Sequence, residues 1–132
     1  MAETIKMTLK LPVKPRTIYE AWLDSKKHSA FTGKEAEIER RVDAEFSVID
    51  GYITGKNLKL YRFNKIVQSW RAADFPEEAE DSVITLMLEE IKEGTKLTII
   101  HENLPDGEGK KYRQSWRENY FKPMKEFFSE EE

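Results

Sequence analysis

Hydrophobic and polar positions alternate through residues 4–13, with Ile5, Met7, Leu9 and Leu11 set against Lys6, Thr8 and Lys10. A period of two predicts a strand with one wet face. Pro12 and Pro15 end it. The period then lengthens. Ile18, Tyr19 and Trp22 fall at helical spacing in residues 16–23, with Pro15 near the first turn. Asp24-Ser25 closes this helix, and one more short helical turn over 28–32 is expected before Gly33. From 35 to 103 the pattern is that of strands: 36–41, 45–49, 52–54, 57–63, 65–71, 82–90 and 95–103. Asp50-Gly51 and Glu93-Gly94 mark turns. The acidic stretch 74–81 reads as an exposed loop.

After Pro105-Asp106-Gly107 the helical period returns over 110–128. Tyr112, Trp116, Tyr120, Met124 and Phe127 fall on one arc about 120° wide, and Phe121 and Phe128 broaden it. Pro123 marks a candidate kink. Residues 129–132 form a polar tail expected to fray. Sequential strands joined by short turns favour an antiparallel sheet. A helix with an aromatic face must cover that sheet, which gives an α+β sandwich. Residues 1–132 show no repeat or linker, so one domain is expected.

Composition narrows the classes. The chain has 132 residues, 22 basic against 25 acidic side chains, and no cysteine. Disulfides, zinc–thiolate sites and cysteine nucleophiles are excluded. No apolar run approaches the ~20 residues that cross a bilayer, so no membrane role is expected. Residues 1–10 alternate instead of forming the apolar block of a leader, and a cytoplasmic protein is expected. Charge is uneven. Residues 110–125 carry six basic side chains against Glu118, while 77–108 carry ten acidic residues and two lysines. A basic helix can bind phosphates. The net charge of −3 and the lack of aromatics interleaved with the basic residues argue against nucleic acid. The same asymmetry suits docking to a protein.

Candidate chemistry is sparse. His28, among polar residues near a helix end, is expected to be solvated. His101 lies in a strand beside Glu102, with no serine, threonine or second histidine in a recognisable pairing motif. A structural role is expected for it, and no catalytic residue is assigned. Paired histidines and calcium loops are absent, so no metal or cofactor is expected. The carboxylates Glu77, Glu78, Glu80 and Asp81 form a run of the kind that solvates a loop. The inward aromatics read first as a packed core, and a pocket between sheet and helix is the sharper alternative that needs the same residues.

Several segments together resemble a known family: VKPRTIYEAW (13–22), GYITGKN (51–57), IVQSWR (66–71), GTKLTIIHENLP (94–105) and WRENYFKPMKEFF (116–128). They look like the domain named for the activator of heat-shock protein 90 ATPase, in the START-like SRPBCC superfamily. The order and spacing match over nearly the whole chain. Asp43-Ala44, Phe31, Phe75-Pro76 and Ser115-Trp116 depart from the family pattern of a glycine pair, tryptophan, Trp-Pro and Gly-Trp. The resemblance implies a helix-grip (START/Bet v-like) fold: a curved antiparallel sheet wrapped around a long C-terminal helix, with two short helices after the first strand. It also implies a cavity between helix and sheet, used in relatives for apolar molecules or lipids. In eukaryotic members such a domain is the second half of a co-chaperone, whose separate N-terminal domain has no counterpart in this sequence.

The main expectation is a small-molecule binding module, with a co-chaperone module as the alternative and a cavity-based enzyme, resting on His101 with Glu102 or on tyrosines, as a third class. In the first, an apolar or aromatic small molecule or lipid sits in the grip without being transformed. Trp116, Tyr120 and Met124 line its helix side, Trp70, Met87 and Ile99 its sheet side, and His101 and Arg113 orient a polar group. In the second, the domain is a co-chaperone-like module that binds heat-shock protein 90 and stimulates its ATPase. The basic helix and the acidic loop then matter most.

Overall fold

The computed structural model describes residues 2–130. Strand β1 (Glu3–Leu11) is followed by two short helices, α1 (Pro15–Trp22) and α2 (Ser25–Thr32). Five strands come next: β2 (Glu45–Val48), β3 (Ile53–Tyr61), β4 (Lys65–Ala72), β5 (Ser82–Ile91) and β6 (Gly94–Leu104). The chain ends in α3 (Gly109–Trp116), a π-helical turn (Arg117–Phe121) and α4 (Lys122–Glu130). All strand pairs are antiparallel, in the order β1-β6-β5-β4-β3-β2. This is the expected α+β helix-grip arrangement.

Alternation decides the faces. Ile5, Met7, Leu9 and Leu11 of β1 turn inward with Ile84, Leu86 and Leu88 of β5 and Leu97 and Ile99 of β6. Tyr112, Trp116, Tyr120, Met124 and Phe128 meet them from the helix side. Gly55 permits the close approach of β3 to its neighbours. A Cβ there would lie 2.0 Å from the Ser69 carbonyl oxygen and 2.7 Å from the Phe46 ring. A bulge follows between Asn57 and Lys59, of the kind that bends a strand.

Two local expectations are corrected. Residues 36–41 form no strand, although Glu37 and Ser47 exchange two backbone hydrogen bonds. The segment divides its backbone bonds between β2 and α2. Ser29 Oγ accepts from Ala36 N at 2.9 Å, and Ser25 Oγ accepts from Ile38 N at 2.7 Å. The segments 52–54 and 57–63 join into the single strand β3, because Gly55 and Lys56 between them keep the alternation and pair with Phe46 and Glu45 of β2.

The long helix contains a π turn. The Lys122 N–H reaches back five residues to the Arg117 carbonyl. The wider turn lies just before Pro123, which has no N–H to offer the preceding turn. It places both Tyr120 and Phe121 inward, and the fully buried ring of the last turn is Phe128 while Phe127 is half-buried. The helix continues through Ser129, whose hydroxyl bonds the Lys125 carbonyl, to Glu130. The rest of the expected tail, 131–132, lies outside the described residues.

Candidate functional site

The grip interior is built around three tryptophans. Trp22 comes from α1, Trp70 from β4 and Trp116 from α3. Trp116 stacks on Trp22 and Trp70 with ring centroids 6.3 and 5.9 Å apart. Each strand or helix supplies its tryptophan through its own period, so the rings converge without any local sequence motif.

His101 is fully buried against them. The Trp116 indole N–H donates to its Nδ1 at 3.0 Å, and its Nε2 lies 2.8 Å from Ser82 Oγ. Because Nδ1 accepts, the neutral ring carries its proton on Nε2 and donates to Ser82. The Ser82 hydroxyl in turn donates to the Trp70 carbonyl at 2.8 Å. This serine–histidine pair therefore runs in the wrong direction for a general base, since the imidazole has no free lone pair for the serine proton. Burial holds the His101 pKa down at about 3. Ser82 was invisible as a partner in sequence terms, yet its alternation with Ile84 and Leu86 places it on the same inward face.

His28 is corrected from solvated to buried. Its Nδ1 lies 2.8 Å from the Trp22 carbonyl and its Nε2 2.9 Å from Tyr120 Oη. A carbonyl can only accept, so this ring carries its proton on Nδ1 and accepts from Tyr120. Burial lowers its pKa to about 4, against the opposing pull of the Trp22 carbonyl. The signal available in sequence was its i,i+3 spacing to the inward Phe31, within a helix capped by Asp24 and closed by Gly33.

A third polar chain crosses the interior. Trp22 donates to Gln68 Oε1 at 3.1 Å, and Gln68 donates to Asn57 Oδ1 at 2.8 Å. Asn57 donates to the carbonyls of Glu39 and Arg41 at 2.8 and 3.0 Å. Among the described residues no buried side-chain nitrogen or oxygen lacks a partner. Every polar group in the grip is thus committed to the protein itself.

The expected ligand-lining residues divide accordingly. Trp70, Ile99, His101, Trp116, Tyr120 and Met124 do converge in the interior. Met87 does not: it stands 43% exposed on the outer face of β5, because Leu86 and Leu88 take the inward positions. Arg113 is also outside, donating to the Lys6 carbonyl on β1 at 3.4 Å. The space bounded by Trp22, His28, Phe46, Gln68, Trp70 and Tyr120 admits no water-sized sphere.

On the surface the acidic loop is ordered by Arg71. Its guanidinium donates to the carbonyls of Ala79 and Pro76 and to Asp81 at 2.7, 2.9 and 3.2 Å. The loop is joined to the basic helix through Asp74, which accepts from Lys111 and from Tyr112 Oη. Partial burial raises the Asp74 pKa, but the hydrogen bonds from Lys111, Tyr52 and Tyr112 outweigh it and hold the group at about 2. The surface also carries open depressions. One, ≈ 600 Å³, lies over Glu45, Thr54, Lys56 and Ser69, and another, ≈ 460 Å³, lies between α2 and α4.

Comparison with known families assigns the chain. The model described as "Activator of Hsp90 ATPase homolog 1-like protein" fits residues 12–129. The chain belongs to this family. It is 28% identical over 127 residues to the Dictyostelium discoideum activator of 90 kDa heat shock protein ATPase homolog, covering 96% of this chain and 33% of that one. The corresponding human homolog 1 is 29% identical over 127 residues, with 95% and 37% covered. The chain thus spans about a third of the length of the curated relatives it matches. Among solved structures, an HSP90 activator from Plasmodium falciparum superposes with a TM-score of 0.80 at 26% identity, covering 89% of each chain. A protein from Mesorhizobium loti shares the fold at a TM-score of 0.83 and 14% identity, covering 98% of this chain and 99% of that one.

Proposed function

We propose that this chain is a non-catalytic protein-interaction domain that docks on a heat-shock protein 90 chaperone and stimulates its ATPase. The observation that carries this reading is membership of the activator family over residues 12–129. The grip interior supports it by exclusion. No water-sized space lies between sheet and helix at the tryptophan cluster, and the inward polar groups are mutually satisfied. The exterior offers recognition by charge arranged in opposed blocks. No described helix is long and apolar enough to cross a membrane, and we place the protein in the cytoplasm with its partner.

The test is the rate of ATP hydrolysis by the host's heat-shock protein 90 with and without added chain. A saturable rise is expected, weakening with salt as charge-steered association does. An unchanged rate together with no detectable complex would overturn the reading. Binding of an apolar molecule or lipid by Trp70, Ile99, His101, Trp116, Tyr120 and Met124 is the competing reading. It would require the stacked rings to separate and the His101 bonds to break.

A further inference from the structure

The sheet has two edges, and the chain treats them differently. At β2 the edge is covered, because Glu37 pairs with Ser47 through backbone bonds of 2.7 and 2.9 Å. At β1 it is not. Antiparallel pairing leaves every second residue of an edge strand with its N–H and C=O facing outward. Two observations fix which residues these are. The Leu11 carbonyl lies against β6, within 2.2 Å of where a Gly94 Cβ would stand. The Lys6 carbonyl instead faces away and receives Arg113. Lys6, Thr8 and Lys10 therefore present the open backbone groups. Among the described residues the long Arg113 bond is the one hydrogen bond these outward groups receive.

The side chains around this edge are basic on both sides. Lys6 and Lys10 stand exposed on the outer face of the sheet. On the inner side, α3 starts at β1, with Gly109 N donating to Glu3 Oε1 at 3.2 Å. Arg113 follows at Lys6, and Arg117 lies one helical turn further on, its N–H bonded to the Arg113 carbonyl. Among the described residues none of Lys6, Lys10, Arg113 and Arg117 forms a salt bridge with an acidic side chain. An added strand would direct alternate side chains to the outer lysines and to the inner arginines. Both faces of that strand would meet positive charge.

We propose that the open edge of β1 takes an extended acidic segment of a partner polypeptide as a seventh strand. The partner's backbone would pair with Lys6, Thr8 and Lys10 while its carboxylates meet Lys6, Lys10, Arg113 and Arg117. Arg113 now caps the Lys6 carbonyl, and it would release that acceptor to the incoming strand. This is strand addition, in which main-chain bonds supply affinity and flanking side chains supply choice. It deepens the chaperone reading by naming the docking edge, and it rests on that reading only for the identity of the partner.

The probe is the capped heptapeptide Glu-Glu-Thr-Glu-Glu-Thr-Glu, which as a strand carries carboxylates on both faces, added to the ¹⁵N-labelled full chain. The expected result is saturable shifts along β1 and slower hydrogen exchange at the Lys6, Thr8 and Lys10 amides. A peptide of the same charge, N-methylated at alternate residues, cannot pair on one edge and should bind at least tenfold more weakly. Arg117→Glu and Lys10→Glu, both exposed, should each weaken the parent peptide about tenfold, which is one charge-assisted contact. Equal binding of the methylated peptide, or shifts without exchange protection, would overturn strand addition. Silence at β1 would do so too, leaving the lysines as guards against edge-to-edge pairing. The chaperone arm is scored separately. ATPase stimulation without peptide protection rejects the edge and keeps the chaperone reading. Peptide protection without stimulation does the reverse.

Discussion

Trp116 donates its indole N–H to Nδ1 of His101 at 3.0 Å, with both side chains buried at the centre of the grip. That bond fixes the imidazole tautomer, aligns Ser82 and turns what looks like a reactive pair into a structural one. His28 is fixed oppositely, by the Trp22 carbonyl at Nδ1. Long-range ¹H–¹⁵N spectra should therefore show two neutral imidazoles of opposite tautomer, His101 protonated on Nε2 and His28 on Nδ1. A shared tautomer would show the network to be wired differently.

These rings also set the acid stability. Both folded pKa values are depressed, to about 3 and about 4, against an ordinary 6.5. Above pH 6.5 both are neutral in either state and the stability is fully present. As pH falls below 6.5 the unfolded chain takes up protons that the folded chain refuses. Stability should fall by about 1.4 kcal/mol per pH unit for each histidine until the folded values are reached. Urea midpoints measured from pH 7.5 to 4.5 should decline steadily, and His28→Gln should flatten part of the slope. A flat profile would contradict the assignment.

Trp116→Phe removes the donor to His101 and leaves a gap between two stacked indoles. A loss of about 2–4 kcal/mol in urea unfolding is expected. In the same variant the His101 Nδ1 nitrogen signal should move as it loses its donor while Ser82 keeps the proton on Nε2, which a purely steric cavity would not cause.

Gly55→Ala would place a methyl group 2.0 Å from the Ser69 carbonyl oxygen. The neighbouring strand backbone cannot retreat as a flexible side chain would. A destabilisation of at least about 2 kcal/mol is expected. Gly107→Ala makes no close contact but sits at φ +83, so it should cost less, about 1 kcal/mol. Thermal unfolding of the two variants side by side checks the order.

The strands and their faces were legible because alternation is imposed by the pleat itself, and only Met87 was assigned to the wrong side. Its neighbours Leu86 and Leu88 are equally apolar, so the run 86–88 carries no alternation to read. The failure at His28 has a similar origin. Its neighbours are polar, but the position belongs to the inward stripe that ends at Phe31. The segment 36–41 has strand-like composition, and only tertiary contacts reveal that α2 serines take half its backbone bonds. Arg113 lies beside the inward Tyr112 in sequence but is turned by helical geometry to the β1 edge. The presence or absence of a cavity was unreadable, since packed and hollow grips use the same inward residues.

The central claim is that this domain acts through its surface on a chaperone while its interior stays closed. The most direct measurement is a set of amide and indole spectra of the labelled chain, titrated first with the host's heat-shock protein 90 and then with a panel of apolar and aromatic metabolites. The account predicts broadening with the chaperone, concentrated at Lys6, Thr8, Lys10, Arg113 and Arg117, and unmoved Trp70 and Trp116 indoles with every metabolite. Saturable shifts of those indoles with one small molecule, and silence with the chaperone, would contradict it.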